Sequence, residues 1–107
     1  MSGIDDRRKG MDAKLSHDNE LRFKVTNRRN KLVGYWAADK LGKTGQDREQ
    51  YAKSVVLSDF KEPGDEDVIR KVLTDFDAAG TPIAKQELVK QMESLMPEAK
   101  EQITKEA

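Results

Sequence analysis

From Ile4 to Trp36 the apolar residues hold a single helical phase, and this constrains the chain more than any other feature. At about 100° per residue, Ile4, Met11, Leu15, Leu21, Val25, Leu32, Val33 and Trp36 fall within an arc of roughly 120°. A stripe of that period and width predicts one long amphipathic helix and excludes a strand. Its density is uneven. Three anchors precede Asp18, where Arg7, Lys14 and Asp18 interrupt the same face, whereas the spacing tightens after Leu21 and ends on the only tryptophan.

The uneven density divides the chain. Burying Ile4, Met11 and Leu15 would contribute about 1.5–3 kcal/mol each. Ordering seventeen backbone residues costs about 1–2 kcal/mol each. Residues 1–17 are therefore expected to be a mobile, conditional arm that completes its helix against a partner. Residues 18–107 are expected to be the permanent domain. Ordering of the arm can spread outward from Leu21 without a fresh nucleation cost, because the stripe stays in phase across the junction.

Glycine and proline punctuate the remainder. Gly42 ends the first helix near Leu41, with Lys40 and Lys43 beside its negative end. Thr44 and Asp47 predict an N-cap pair for a second helix from Gly45 to Phe60, buried through Tyr51, Ala52, Val55, Val56 and Phe60. Lys61-Glu62-Pro63-Gly64 is a turn, after which Asp65 is expected to cap a third helix carrying Val68, Ile69, Val72, Leu73 and Phe76. Gly80 stops that helix. Thr81-Pro82 predicts the start of a fourth, with Pro at the first helical position. Its face is Leu88, Met92, Leu95, Met96, Ala99 and Ile103, and Pro97 within that pattern predicts a kink or break. The expected fold is all-α, an antiparallel four-helix bundle with a mobile N-terminal segment.

At 107 residues, 37% of them charged and 36% hydrophobic, the chain suffices for one domain with a small core. It has no cysteine, which removes disulfides and thiolate metal sites. No apolar run approaches the ~20 residues that span a bilayer, and acids stand where a secretory signal carries cations. The expected location is cytoplasmic. Net charge is zero, yet residues 1–31 hold nine cations against five acids, leaving +4, and residues 57–77 hold three against seven, leaving −4. Either a negatively charged partner lies near the first third, or the two regions attract each other within the bundle.

No arrangement of residues supports catalysis. His17 is the only histidine, so it forms no catalytic pair and no zinc site, and no serine or threonine has a nearby base. Asp59 to Arg70 superficially resembles a calcium loop, but Lys61, Pro63 and Arg70 stand where oxygen donors are required. Ala37-Ala38-Asp39-Lys40-Leu41-Gly42-Lys43-Thr44 fits a loose phosphate-loop string. The residues before it read as helix rather than strand, which argues for a glycine cap and against ATP hydrolysis. Lys43, Thr44 and the start of the second helix still offer a phosphate perch, to which Arg28 or Arg29 could add charge. Paired arginines beside Tyr35 and Trp36 raise nucleic acid, which the neutral balance and flanking acids disfavour.

Two long motifs carry a resemblance. Arg28-Arg29-Asn30-Lys31-Leu32-Val33-Gly34, Trp36-Ala37-Ala38 and Leu41-Gly42-Lys43-Thr44-Gly45 form the first. Asp59-Phe60, Glu62-Pro63-Gly64-Asp65-Glu66-Asp67-Val68 and Arg70-Lys71-Val72 form the second. With Asp5-Asp6-Arg7 and Lys14-Leu15-Ser16-His17-Asp18, they closely resemble the ζ subunit of alphaproteobacterial F-type ATP synthases over nearly the whole chain. The resemblance implies a four-helix bundle that inhibits ATP hydrolysis and is not an enzyme. It implies insertion of the N-terminal segment at a catalytic α/β interface near γ, blocking hydrolytic rotation in a mode similar to the mitochondrial inhibitor protein. The expected partners are thus the α, β and γ subunits, with the protein peripheral to the inner membrane and not inserted in it. No cofactor is required. ADP or ATP is implied as a regulatory ligand, mapped onto Arg28, Arg29, Lys43 and Thr44.

The arm suits that role from its residues alone. Ile4, Met11 and Leu15 are groove anchors, and Asp5, Asp6, Arg7, Arg8 and Lys14 supply a mixed polar rim. The competing expectations are a nucleotide-sensing module whose arm is incidental, and a nucleic-acid accessory protein.

Overall fold

The computed structural model describes the backbone of residues 2–59 and 65–106, and the side chains of 20–59 and 65–106. Four helices follow one another: α1 (Ser2–Lys40), α2 (Gly45–Ser58), α3 (Glu66–Ala78) and α4 (Lys85–Glu106). No strand occurs among the described residues. The all-α four-helix bundle expected from the sequence is what forms.

Two glycine stops position the helices. Gly42 adopts φ 79° and Gly80 φ 77°, the left-handed conformation that a side chain would strain. At the first stop Lys43 N–H donates to the Ala38 carbonyl at 2.8 Å and Gly42 N–H to Asp39 at 3.2 Å. At the second, Thr81 N–H donates to Phe76 at 3.0 Å and Gly80 N–H to Asp77 at 3.1 Å. Each pair of bonds satisfies carbonyls that the helix end leaves without partners.

Val33, Ala37, Ala38, Tyr51, Val55, Val68, Ile69, Val72, Phe76, Leu88 and Met92 form the central core. Trp36 is half-buried and packs on Phe76, the rings tilted 42° with centroids 6.1 Å apart. Leu73, Leu95, Met96 and Val56 are half-buried rather than buried. The closest approach is at Gly34. A Cβ built there would lie 2.5 Å from the Ala52 Cα, so α1 and α2 meet backbone to backbone.

Several sequence expectations need correction. α4 begins at Lys85, not at Thr81-Pro82. Residues 81–84 are non-helical, and it is the Ala84 carbonyl that accepts from Glu87 and Leu88. Pro97 does not break α4. Pro97 and Glu93, four residues before it, are both exposed, so water can meet the carbonyl that proline leaves unpaired. Thr44 and Asp65 occupy N-cap positions but make no side-chain capping bond. Asp65 instead binds α1.

The molecule measures 65 × 25 × 21 Å. A 39-residue helix is about 58 Å long, so α1 sets the long dimension, and α2–α4 cluster about its C-terminal half.

Candidate functional site

α1 carries charge into the bundle immediately after the predicted arm. Arg28 reaches α4, donating from Nη1 to Gln102 Oε1 and from Nη2 to Glu106 Oε2, each at 2.9 Å. Arg29 points the other way and is 3% exposed. Its Nη2 and Nη1 donate to the two oxygens of Asp65 at 2.6 and 3.2 Å, and its Nε donates to Asn30 Oδ1 at 2.9 Å. Asn30, wholly buried, donates from Nδ2 to Asp59 Oδ2 at 2.9 Å. Consecutive residues of α1 thus hold the end of α2 and the start of α3. Part of the charge asymmetry read from the sequence is consumed inside the bundle.

The same cluster holds unbalanced carboxylate. One oxygen each of Asp59 and Asp67 is buried without a hydrogen-bond partner. Burial pushes the Asp59 carboxyl above the usual carboxylate range. Asp65 and Asp67 add to that push, while the Asn30 hydrogen bond and the Arg29 charge oppose it.

Lys43 lies at the other end of the bundle. Its ammonium sits 5.7 Å from the centre of the Tyr51 ring, and that of Lys71 lies 5.2 Å from the same ring. Tyr51 donates its hydroxyl to Asp75 at 2.9 Å, and Lys71 pairs with Asp75 at 3.0 Å. Burial, reinforced by the Asp75 hydrogen bond, holds the Tyr51 phenol far above its ordinary value. These groups and Leu41 line a cleft of about 400 Å³. Thr44 is exposed at the edge of this end.

The four residues mapped to nucleotide do not converge. Fourteen residues of chain separate Arg29 from Lys43, about 20 Å of helix, and both arginines are committed to bundle contacts. Lys71, named in the sequence only as part of the second motif, joins Lys43 beside Tyr51. Its signal was its place one turn before Asp75, which the fold brings to Tyr51. The arm side chains Ile4, Asp5, Asp6, Arg7, Arg8, Met11, Lys14 and Leu15 lie outside the described residues, as do the side chain of His17 and residues 60–64. Among the described residues, no group of three acidic, histidine or cysteine side chains is arranged to hold a metal. Nor is any helix long and apolar enough to cross a membrane.

A chain of four helices, the first longer than the other three and tied to them partly by buried charge, is an all-α four-helix bundle in its class. More particularly, the chain belongs to the family ATPase inhibitor subunit zeta, which it matches over residues 1–102. It is also similar to a protein whose structure was solved in solution by NMR. The two are 45% identical with a TM-score of 0.72, over 81% of this chain and 99% of that one. No curated protein matches. Membership in the family carries an inhibitory role toward an ATPase and association with the ATP synthase.

Proposed function

We propose that the protein restrains ATP hydrolysis by presenting residues 1–17 as a helix to a catalytic α/β interface near γ, where it blocks rotation. The observation that carries this reading is the length of α1. It runs unbroken from Ser2 to Lys40, 39 residues against 22 in α4, the next longest helix. The leading turns thus continue, without a break, a helix that the bundle holds through Arg28, Arg29 and Asn30. Ile4, Met11 and Leu15 are the anchors, with Asp5, Asp6, Arg7, Arg8 and Lys14 around them. Three apolar side chains are too few to hold seventeen residues ordered alone, so the host cleft supplies the remaining burial. The protein acts peripherally at the inner membrane through the synthase.

Deleting residues 1–17 is expected to abolish inhibition of the cognate catalytic sector while moving the melting temperature by less than about 2 °C, within the range of changes that leave a core untouched. Retained inhibition in that ATPase assay would refute insertion.

A second reading concerns regulation. The cleft beside Tyr51 is lined by Lys43 and Lys71, both with their ammonium groups near the Tyr51 ring, and this favours Lys43, with Thr44 and Lys71 near it, as the phosphate end of an ADP or ATP site. Arg28 and Arg29 then act structurally. Isothermal titration of ADP should lose its heat on Lys43→Ala and keep it on Arg28→Ala. The opposite pattern would move the site to the arginine end.

A further inference from the structure

Between α1, α2 and α4, immediately past the predicted arm, runs an open groove of about 460 Å³. Leu21, Val56 and Ile103 give it an apolar floor. Along one rim α1 sets Lys24, Arg28 and Lys31, at the i, i+4, i+7 spacing that forms one stripe about 10 Å long. Arg28 closes the groove onto Glu106 of α4. The two lysines are committed only loosely. Lys24 meets Glu20 at 3.7 Å with both side chains more than half exposed, and Lys31 lies over the Tyr35 ring at 5.8 Å. The rim therefore keeps a positive excess over an oily floor.

We propose that this groove is a second docking site, which binds an acid-flanked amphipathic helix of the ATPase subunit that receives the arm. The proposal rests on the insertion reading above. Charge selects the occupant. Aliphatic side chains facing Leu21, Val56 and Ile103, with carboxylates on the side of Lys24 and Lys31, complement floor and rim together. Position selects the subunit. Leu21, which lines the groove, lies one turn beyond residue 17 on the same helix, so a host that grips the arm is brought against it. Two contacts on one continuous chain segment act at high effective concentration, which sets affinity, whereas the arm alone sets whether rotation stops.

The test uses the full-length chain and the intact catalytic sector. Lys24→Glu combined with Lys31→Glu is expected to leave the melting temperature unchanged, because both side chains are exposed. It should weaken Kd about ten- to thirty-fold, while saturating protein still inhibits fully. A Kd within about twofold of the parent overturns the proposal. A photo-crosslinking residue at Val56 should capture an acid-flanked helix of a catalytic-sector subunit. Capture of a second copy of this chain alone overturns it, as does charge-dependent binding to anionic phosphatidylglycerol vesicles with no subunit crosslink. Ile4→Asp with Leu15→Asp separates the two readings. If that variant still inhibits at saturation, insertion fails, whereas an unchanged Kd in the lysine variant defeats the groove and leaves insertion standing.

Discussion

Gly34→Ala is expected to destabilise the bundle by about 2 kcal/mol and lower Tm by about 10 °C. In an ordinary helix the same change would add about 1 kcal/mol of stability, because alanine restricts the unfolded chain and glycine does not. The sign reverses through what the new methyl meets. Its nearest neighbour would be the Ala52 Cα at 2.5 Å, followed by the Ala52 Cβ at 3.0 Å and its carbonyl oxygen at 3.3 Å. Backbone atoms cannot rotate away, so α1 and α2 must separate and open the core around Val33 and Val55. Overpacking of this kind costs about 1–3 kcal/mol and more where nothing yields. Adding Ala52→Gly should not restore stability, since it removes the Cβ and leaves the Cα in place. Thermal unfolding of the single and double variants decides the matter. A G34A protein as stable as its parent, or full rescue by the second change, would show that the helices can part freely.

How much of this was legible in the sequence depends on the kind of signal. Apolar spacing and the two glycine stops are local, so the helices, their order and most of the core could be read directly. Gly42 and Gly80 ended their helices as expected because a left-handed turn there is a demand on one residue. The Thr81-Pro82 signal misled because it specifies only where a helix is allowed to start. Ala84 takes that role in the folded chain. Small residues carried a quieter message. Gly34 and Ala38, four apart, mark the side of α1 where a neighbour comes closest, yet a stripe defined by large side chains passes over them.

The buried arginine was hidden for a different reason. Arg29 stands four residues after Val25 and four before Val33, inside the apolar stripe. Its charge left two readings open, a negatively charged partner or attraction within the bundle. Only the tertiary fold brings Asp65 from thirty-six positions away to make burial tolerable. The nucleotide mapping onto Arg28 and Arg29 followed the resemblance, and charge by itself does not separate a cation awaiting a ligand from one already paired within the bundle. Lys43 and Lys71, which share a cleft, were separable from them only once α3 was placed against Tyr51.

Arg29→Ala is expected to destabilise the bundle by about 3 kcal/mol, or about 15 °C in Tm. The figure sits at the lower end for a broken buried ion pair, because Asp65 is nearly half exposed and water can recover part of its solvation. The remainder comes from the space vacated, from Asn30 Oδ1 losing its donor, and from carboxylates left without their cation. Arg29→Lys should recover less than half of the loss, since an ammonium cannot grip Asp65 with two parallel bonds and donate to Asn30 as well. The loss should also depend on pH. Asp59 is raised above its unfolded value, so the stability linked to it is fully present below the unfolded pKa and is lost as pH rises through the folded pKa. Arg29 opposes that rise. Without the guanidinium the folded value moves higher still, and the variant loses more on the way to neutrality than the parent does. Urea titrations at pH 5 and pH 7 should therefore show the gap between parent and variant narrowing in acid. A gap of the same size at both pH values would mean that Arg29 works by filling space and that Asp59 does not sense its charge.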